Sequence, residues 1–148
     1  MTIAPSRRCV LALFSTLVAI LILRPLIADA LCIRGDEFLR SGYPVTAQHY
    51  YRLALFSDPD CGTATERFVF ASLEIHTRTI LAAGVKVADA YLQRHKDQDI
   101  AIDRALALWS MNDLSRAAKE LGALGDSTHD RRYTRLAQIA MRRIMRKK

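Results

Sequence analysis

Apolar positions in this chain recur at intervals of three and four, the spacing of one face of an α-helix. Past residue 31 no alternating run of any length suggests a strand, and Pro and Gly are sparse. The start of the chain differs from the rest. Arg7 and Arg8 precede an apolar run from Cys9 to Leu23, which Arg24 and Pro25 break before Leu26–Cys32 follows. Beyond it, one helix is expected to end near Ser41 and a second to run from about Val45 to Phe56. Gly42 lets the chain turn, and Pro44 suits the first turn of a helix. Ala47, Tyr51, Ala54 and Leu55 then make one stripe at i, i+4, i+7 and i+8. Asp58-Pro59 stops that helix, because proline disfavours the helical conformation in the residue before it.

The same period continues to the C-terminus. Thr63 and Glu66 have the spacing of a capping box that opens the next helix. Its apolar residues Phe68, Ala71, Leu73 and Ile75 run into Ile80 and Leu81, and Gly84 reads as the break before Val85, Val87, Ala88, Tyr91 and Leu92. A third pair of helices runs from about Asp99 to Leu124, with Asn112 or Asp113 capping the second, and Gly125-Asp126 ends it. Ser127 and Asp130 suggest another cap. Tyr133, Leu136, Ala137, Ala140, Met141 and Ile144 then give a seventh helix one apolar face. The fold class is therefore all-α, built from helical hairpins in series.

One hairpin carries a sharper signal. Gly35, Phe38, Gly42, Ala47, Tyr51, Ala54 and Pro59 stand at intervals that resemble the tetratricopeptide (TPR) repeat, with Arg34 departing from the family's usual Leu. Two helices approach closely only where side chains are small, so Gly35 and Ala47 are expected at the contact between hairpin partners. Phe38 and Tyr51 fill the wider gaps, and Ala54 makes room for the next hairpin. The later hairpins keep this pattern in character only. Leu81, Val85 and Ala88 repeat the mutual spacing of Ala47, Tyr51 and Ala54 one hairpin further on. A shift by two hairpins sets Ala105, Asn112, Ala117, Leu121 and Leu124 against Gly35, Gly42, Ala47, Tyr51 and Ala54.

The resemblance implies a TPR-like right-handed solenoid of about three helical hairpins plus a C-terminal capping helix, preceded by an N-terminal apolar helix. It also implies a scaffold that holds another protein and not an enzyme. Its inner face would be lined by the first helix of each hairpin, so Cys32, Asp36, Leu39 and Arg40 would face a partner groove, with Trp109 as a candidate anchor on the third hairpin. The Lys-and-Asn set by which some TPR domains hold a C-terminal carboxylate is missing, with Asp36 in the way.

The apolar run sets the expected address. Its 15 residues rise about 22 Å as a helix, short of a roughly 30 Å hydrocarbon core. That length suits the core of a signal peptide, and Ala28-Asp29-Ala30 supplies small residues for cleavage after Ala30. The other reading keeps residues 9–31 as a membrane anchor, with Arg24 snorkelling to the interface. Either way the paired arginines stay inside and the body is exported, into the periplasm of a bacterium. The expected divisions are 1–30 (leader or anchor), 31–126 (repeats) and 127–148 (basic capping helix and tail).

Charge sharpens the last division. The net charge is +7, but residues 31–126 carry 11 basic against 13 acidic residues, and residues 127–148 carry 8 basic residues against Asp130 alone. The high isoelectric point belongs to the tail. Arg142, Arg143, Arg146, Lys147 and Lys148 are candidates for contact with an anionic membrane surface, and Arg131, Arg132 and Arg135 precede them. Export makes nucleic acid an unexpected partner.

Little else in the chain points to chemistry. Cys9 lies in the leader, and Cys32 and Cys61 fall at ends of the first two helices that an antiparallel hairpin makes neighbours. They are a candidate disulfide, in keeping with an oxidising compartment. His49, His76, His95 and His129 lack metal-ligand spacing. Asp97, Asp99 and Asp103 read as a solvated helix start. No Gly-rich phosphate loop, nucleophile elbow or HExxH is present, so neither a cofactor nor a small-molecule substrate is expected. Two readings remain open: an interaction scaffold for an envelope assembly, secretion or polysaccharide system, and a peripheral membrane protein acting through its basic C-terminal helix.

Overall fold

The computed structural model describes the backbone of residues 7–146 and the side chains of residues 18, 19 and 22–146. Among these the chain forms seven helices and no strand: α1 (Arg7–Arg40), α2 (Pro44–Ser57), α3 (Gly62–Ile75), α4 (Arg78–Leu92), α5 (Gln98–Ser110), α6 (Leu114–Thr128) and α7 (Arg131–Met145). Each helix packs against the next, and α1 also meets α3, as α3 meets α5. Among the described residues no close backbone approach joins α2 to α4 or α4 to α6. The odd-numbered helices α1, α3 and α5 therefore share one side of the molecule, and α7 rests on α6.

The small residues set this arrangement. Gly35 is buried under Tyr51, where an added Cβ would stand 2.5 Å from the ring. Ala47, Tyr51 and Ala54 are fully buried with Phe68 and Ala71 of the next hairpin. The second hairpin buries Val69, Leu81, Val85 and Ala88 in one cluster. The third buries Ala105, Leu121 and Leu124 together with Ala137 of α7. The turns repeat as well. Gly42, His76, Asn112 and His129 all take left-handed backbone (φ 81°, 55°, 62° and 56°) after α1, α3, α5 and α6. Gly42 and His76 are offset along the chain by the same interval as Ala47 and Leu81, or Tyr51 and Val85, in the helices that follow them.

Several sequence expectations need correction. Pro25, a helix-breaker in the signal-peptide reading, lies inside α1, which continues to Arg40. A proline removes one N–H donor and crowds the preceding turn, which bends a helix without having to end it. Gly84 is no break either. It is buried within α4, where a Cβ would meet the Ser72 side chain at 2.9 Å, and the chain turns instead at His76. The cap of α3 is Cys61, whose Sγ accepts from the Ala64 N–H at 3.4 Å, so the Thr63–Glu66 capping box does not open this helix. Gly125-Asp126 lies within α6, which reaches Thr128, and Gly125 lets Thr134 of α7 approach. Asp113 and Asp130 cap α6 and α7 as read from the sequence. Met141, placed on the apolar face of α7, is half exposed.

No helix among the described residues is long and apolar enough to cross a membrane. The apolar run from Cys9 to Leu23 lies mostly where side chains are outside the described set, so the leader and anchor readings fall largely there too. From Ile22 to Ile27 every side chain is exposed, and Ala28 is the first described residue of α1 to be buried.

Candidate functional site

The outward side of α1, α3 and α5 is where the helical phase collects unpartnered side chains. On α3 the buried residues Ala64, Thr65, Phe68, Val69, Ala71 and Ser72 leave Glu66, Phe70 and Glu74 on the opposite side, one turn apart. On α5, Asp97 caps the helix by accepting from Asp99 N–H (3.1 Å) and Ile100 N–H (3.2 Å). Asp99, Asp103 and Leu106 then rise along one stripe of that helix. Phe70 is 44% exposed and Leu106 41% exposed.

Asp103 stands among carboxylates. Burial pushes its pKa up to about 6, and the neighbouring charges of Glu66 and Asp99 push in the same direction. Glu66, Asp99 and Asp103 form no ion pair among the described residues. On α1 the situation differs. Asp36 accepts a 2.7 Å hydrogen bond from the Tyr51 hydroxyl and faces Arg67 of α3 at 3.6 Å. Burial first, and Asp36 next, raise the Tyr51 hydroxyl well above the usual tyrosine range. The Arg67 Nε is buried and has no hydrogen-bond partner among the described residues.

Not all residues named from sequence meet at this face. Asp36 is present but engaged by Tyr51 and Arg67. Arg40 is exposed, its Nε donating to the Asp36 carbonyl at 3.2 Å. Leu39 is half-buried against the core of the first hairpin. Trp109 is placed elsewhere. It wedges against the clusters that join α5 to α6 and α7, under the guanidinium of Arg143 at 5.4 Å. It closes the C-terminal end of the stack instead of standing free for a ligand. Arg142 and Arg146 are exposed, Arg143 lies on Trp109, and Lys147 and Lys148 are outside the described residues.

The sequence does not single out Phe70 or Leu106, and it offers Glu66 only as a capping residue. The signal is available in the helical phase, since each lies opposite a run of buried positions, but an isolated exposed Phe or Leu carries no such message by itself. Two further features are structural. Arg104 of α5 ties α4 to α6, reaching Asp89 at 2.8 Å and Glu120 at 3.0 Å, with Arg116 on Asp89 at 3.4 Å. On the other side of the molecule an open apolar groove of about 530 Å³ runs between α2 and α4 over Phe68, with Arg52 and Lys86 at its edges.

No family model matches this chain, and neither a curated protein nor a solved structure does.

Cys32 is buried, Cys61 is half-buried, and both are free thiols. They are neighbours across the open end of the first hairpin. Burial, then the charge and hydrogen bond of Cys61, push the Cys32 thiol up to about 12. A thiol held neutral in this way is a poor nucleophile. Among the described residues no group of three His, Cys, Asp or Glu side chains has the arrangement of a metal site.

Proposed function

We propose that this chain is an exported, TPR-like interaction scaffold that holds a protein partner of an envelope assembly, secretion or polysaccharide system against the outward side of α1, α3 and α5. One observation carries the reading. Phe70 and Leu106 are exposed between carboxylates that pair with no cation among the described residues, on helices locked together by fully buried neighbours. Apolar area within a charged rim, on a rigid support, is the anatomy of a protein-binding patch. The left-handed turns at Gly42 and His76, and the buried positions that recur at the same interval, support the repeat reading. The paired arginines and the apolar run behind them support export. Retention of residues 9–31 is favoured over cleavage after Ala30, because the cut would remove Ala28 from the first core.

A photo-crosslinking amino acid at Phe70 or Leu106, in the full chain in its own cells, tests the scaffold. One protein is expected to crosslink from both positions and not from Lys86 on the far side. Crosslinks of equal yield from all three, or none from Phe70 and Leu106, would remove the assignment.

The alternative is a peripheral membrane protein acting through α7. It is favoured by Arg131, Arg135, Arg142 and Arg146, which are exposed and form no ion pair among the described residues. Anionic liposomes would be sedimented with chains ending at residue 148 and at residue 141. Salt-sensitive loss of binding in the shorter chain is the result this second reading requires.

A further inference from the structure

The scaffold reading leaves the chemistry of the partner open, and the molecule carries a surface of its own that matches. This inference rests on that reading and names an occupant for the same face. The face offers Glu66, Glu74, Asp99 and Asp103, none in an ion pair among the described residues, around exposed Phe70 and Leu106. The outer side of α7 offers the reverse. Arg131, Arg135, Arg142 and Arg146 fall with Ile139 and Met145 on a single stripe, opposite buried Ala137 and Ala140. Ile139 is 43% exposed and Met145 68% exposed.

The dimensions agree as well. The 15 residues of α7 span about 22 Å at 1.5 Å each. Three helices side by side extend about 16–20 Å between outer axes at the usual 8–10 Å spacing. Within one molecule the two surfaces do not meet, because α7 is seated on α6 and, among the described residues, contacts neither α1 nor α3.

We propose that α7 of one molecule lies across the α1–α3–α5 face of a second copy. The apolar residues on both surfaces supply the burial, and the charges select the partner and speed the encounter. The contact is head to tail. Each bound pair therefore still presents a free face at one end and a free α7 at the other, and association continues into chains.

Sedimentation velocity of the full chain in a neutral detergent tests this over a range of protein concentrations. The wild-type chain is expected to form dimers and longer species that high salt disperses. Two variants isolate the surfaces: Glu66→Gln with Phe70→Ser and Asp103→Asn on the face, and Arg135→Gln with Arg142→Gln on α7. All these side chains except Asp103 are exposed, and circular dichroism checks that both variants keep their helices. Each variant alone is expected to sediment as a monomer. An equal mixture is expected to give a dimer and nothing larger, since only one intact pair of surfaces remains.

A wild-type chain that stays monomeric, variants that associate as the wild type does, or a mixture that gives no dimer would each overturn the proposal. Should the face variant lose its helices, Asp103→Asn alone is expected to weaken association severalfold, and unchanged association overturns the proposal. Anionic vesicles captured through Arg135 and Arg142, with no self-association in detergent, would make α7 a lipid contact and overturn it too. The scaffold reading is judged separately. A foreign protein crosslinked from Phe70 beside a monomeric wild type would sustain the scaffold and sink self-association.

Discussion

The first and third hairpins bury an equivalent contact with the bulk divided differently. In the first, Gly35 of α1 lies under Tyr51 of α2. At the matching positions of the third, Ala105 of α5 and Leu121 of α6 share one cluster. The second hairpin lies between them, with Val69 and Val85 in its core. Where one partner is smallest the other is largest, so the interior fixes the volume of the pair and not the residue at either position. The difference has a polar consequence. Tyr51 brings a hydroxyl into the core that needs an acceptor, and Asp36 supplies it, with Arg67 beside them. A Leu at this place makes no such demand, and the third hairpin uses its half-buried charge for the Arg104 tie to Asp89 and Glu120 instead.

The largest expected effect is a covalent one confined to the first hairpin. Thiol–disulfide exchange with an oxidant of an oxidising compartment is expected to join Cys32 to Cys61. The intact mass without reductant should then be two hydrogens below the sum for free thiols. Closing a loop of about 30 residues corresponds to roughly 3–4 kcal/mol from chain entropy. Reduction should lower the unfolding midpoint accordingly. Protein taken from an oxidising compartment with both thiols free would leave the first hairpin with packing alone, like the third. In that reduced form Cys32 should resist alkylation at neutral pH, since burial pushes it up to about 12.

Next in size is the glycine contact. Gly35→Ala places a Cβ 2.5 Å from the Tyr51 ring, and overpacking of this kind costs about 2–3 kcal/mol. Tyr51→Leu alone also destabilises, by opening a cavity and leaving Asp36 without its hydroxyl. The double substitution rebuilds the Ala–Leu pair of the third hairpin. It should lose less than the sum of the singles in a denaturant double-mutant cycle. Strict additivity would show that the two hairpins do not share one volume rule.

This comparison also explains what can be read in the sequence. Ala47, Tyr51 and Ala54 are legible as core because their spacing matches one helix face, and their counterparts Leu81, Val85 and Ala88 follow by counting. Gly84 misleads because glycine marks either a turn or a close approach, and spacing alone does not distinguish them. The real turn at His76 carries no Gly or Pro signal. Pro25 misleads for a similar reason, since a proline inside a helix and one that ends it look alike in sequence. Trp109 reads from sequence as a candidate anchor on the third hairpin, but Arg143 of α7, which lies over its ring, comes from a distant part of the chain. Of the face itself, the TPR resemblance points to Asp36, which Tyr51 and Arg67 engage. Asp103 reads as part of a helix start because its other neighbour, Glu66, lies on a different helix.

The turns allow a smaller test of the repeat. Gly42 and His76 hold equivalent left-handed backbone, and only the second has a side chain to strain it. Non-glycine residues cost about 1–2 kcal/mol there. His76→Gly should therefore stabilise by about 1 kcal/mol, partly offset by the greater freedom of the unfolded chain, as read from urea unfolding. A loss of stability would mean that the His76 side chain contributes more than its backbone costs, and that the two turns are not equivalent.

The smallest effect contrasts the two ends of the face. Asp36 on the first hairpin has Tyr51 and Arg67, whereas Asp103 on the third makes no ion pair among the described residues and stands, half-buried, near the charges of Glu66 on α3 and Asp99 on its own helix. Its folded value of about 6 lies above the reference 3.8. The folded protein therefore holds the proton more tightly than the unfolded chain does. Stability contributed in this way is fully present below pH 3.8, falls as pH rises, and is gone above about 6. Asp103→Asn removes the ionisation and with it the fall. The variant should match the wild type near pH 3.8 and exceed it once the pH is above about 6. Asp103 is partly open to solvent, so the gain after screening is about 1 kcal/mol or less. Urea unfolding across that range reads the difference directly. Parallel curves for the two proteins would mean that neither burial nor the charges of Glu66 and Asp99 raise Asp103 in the folded state.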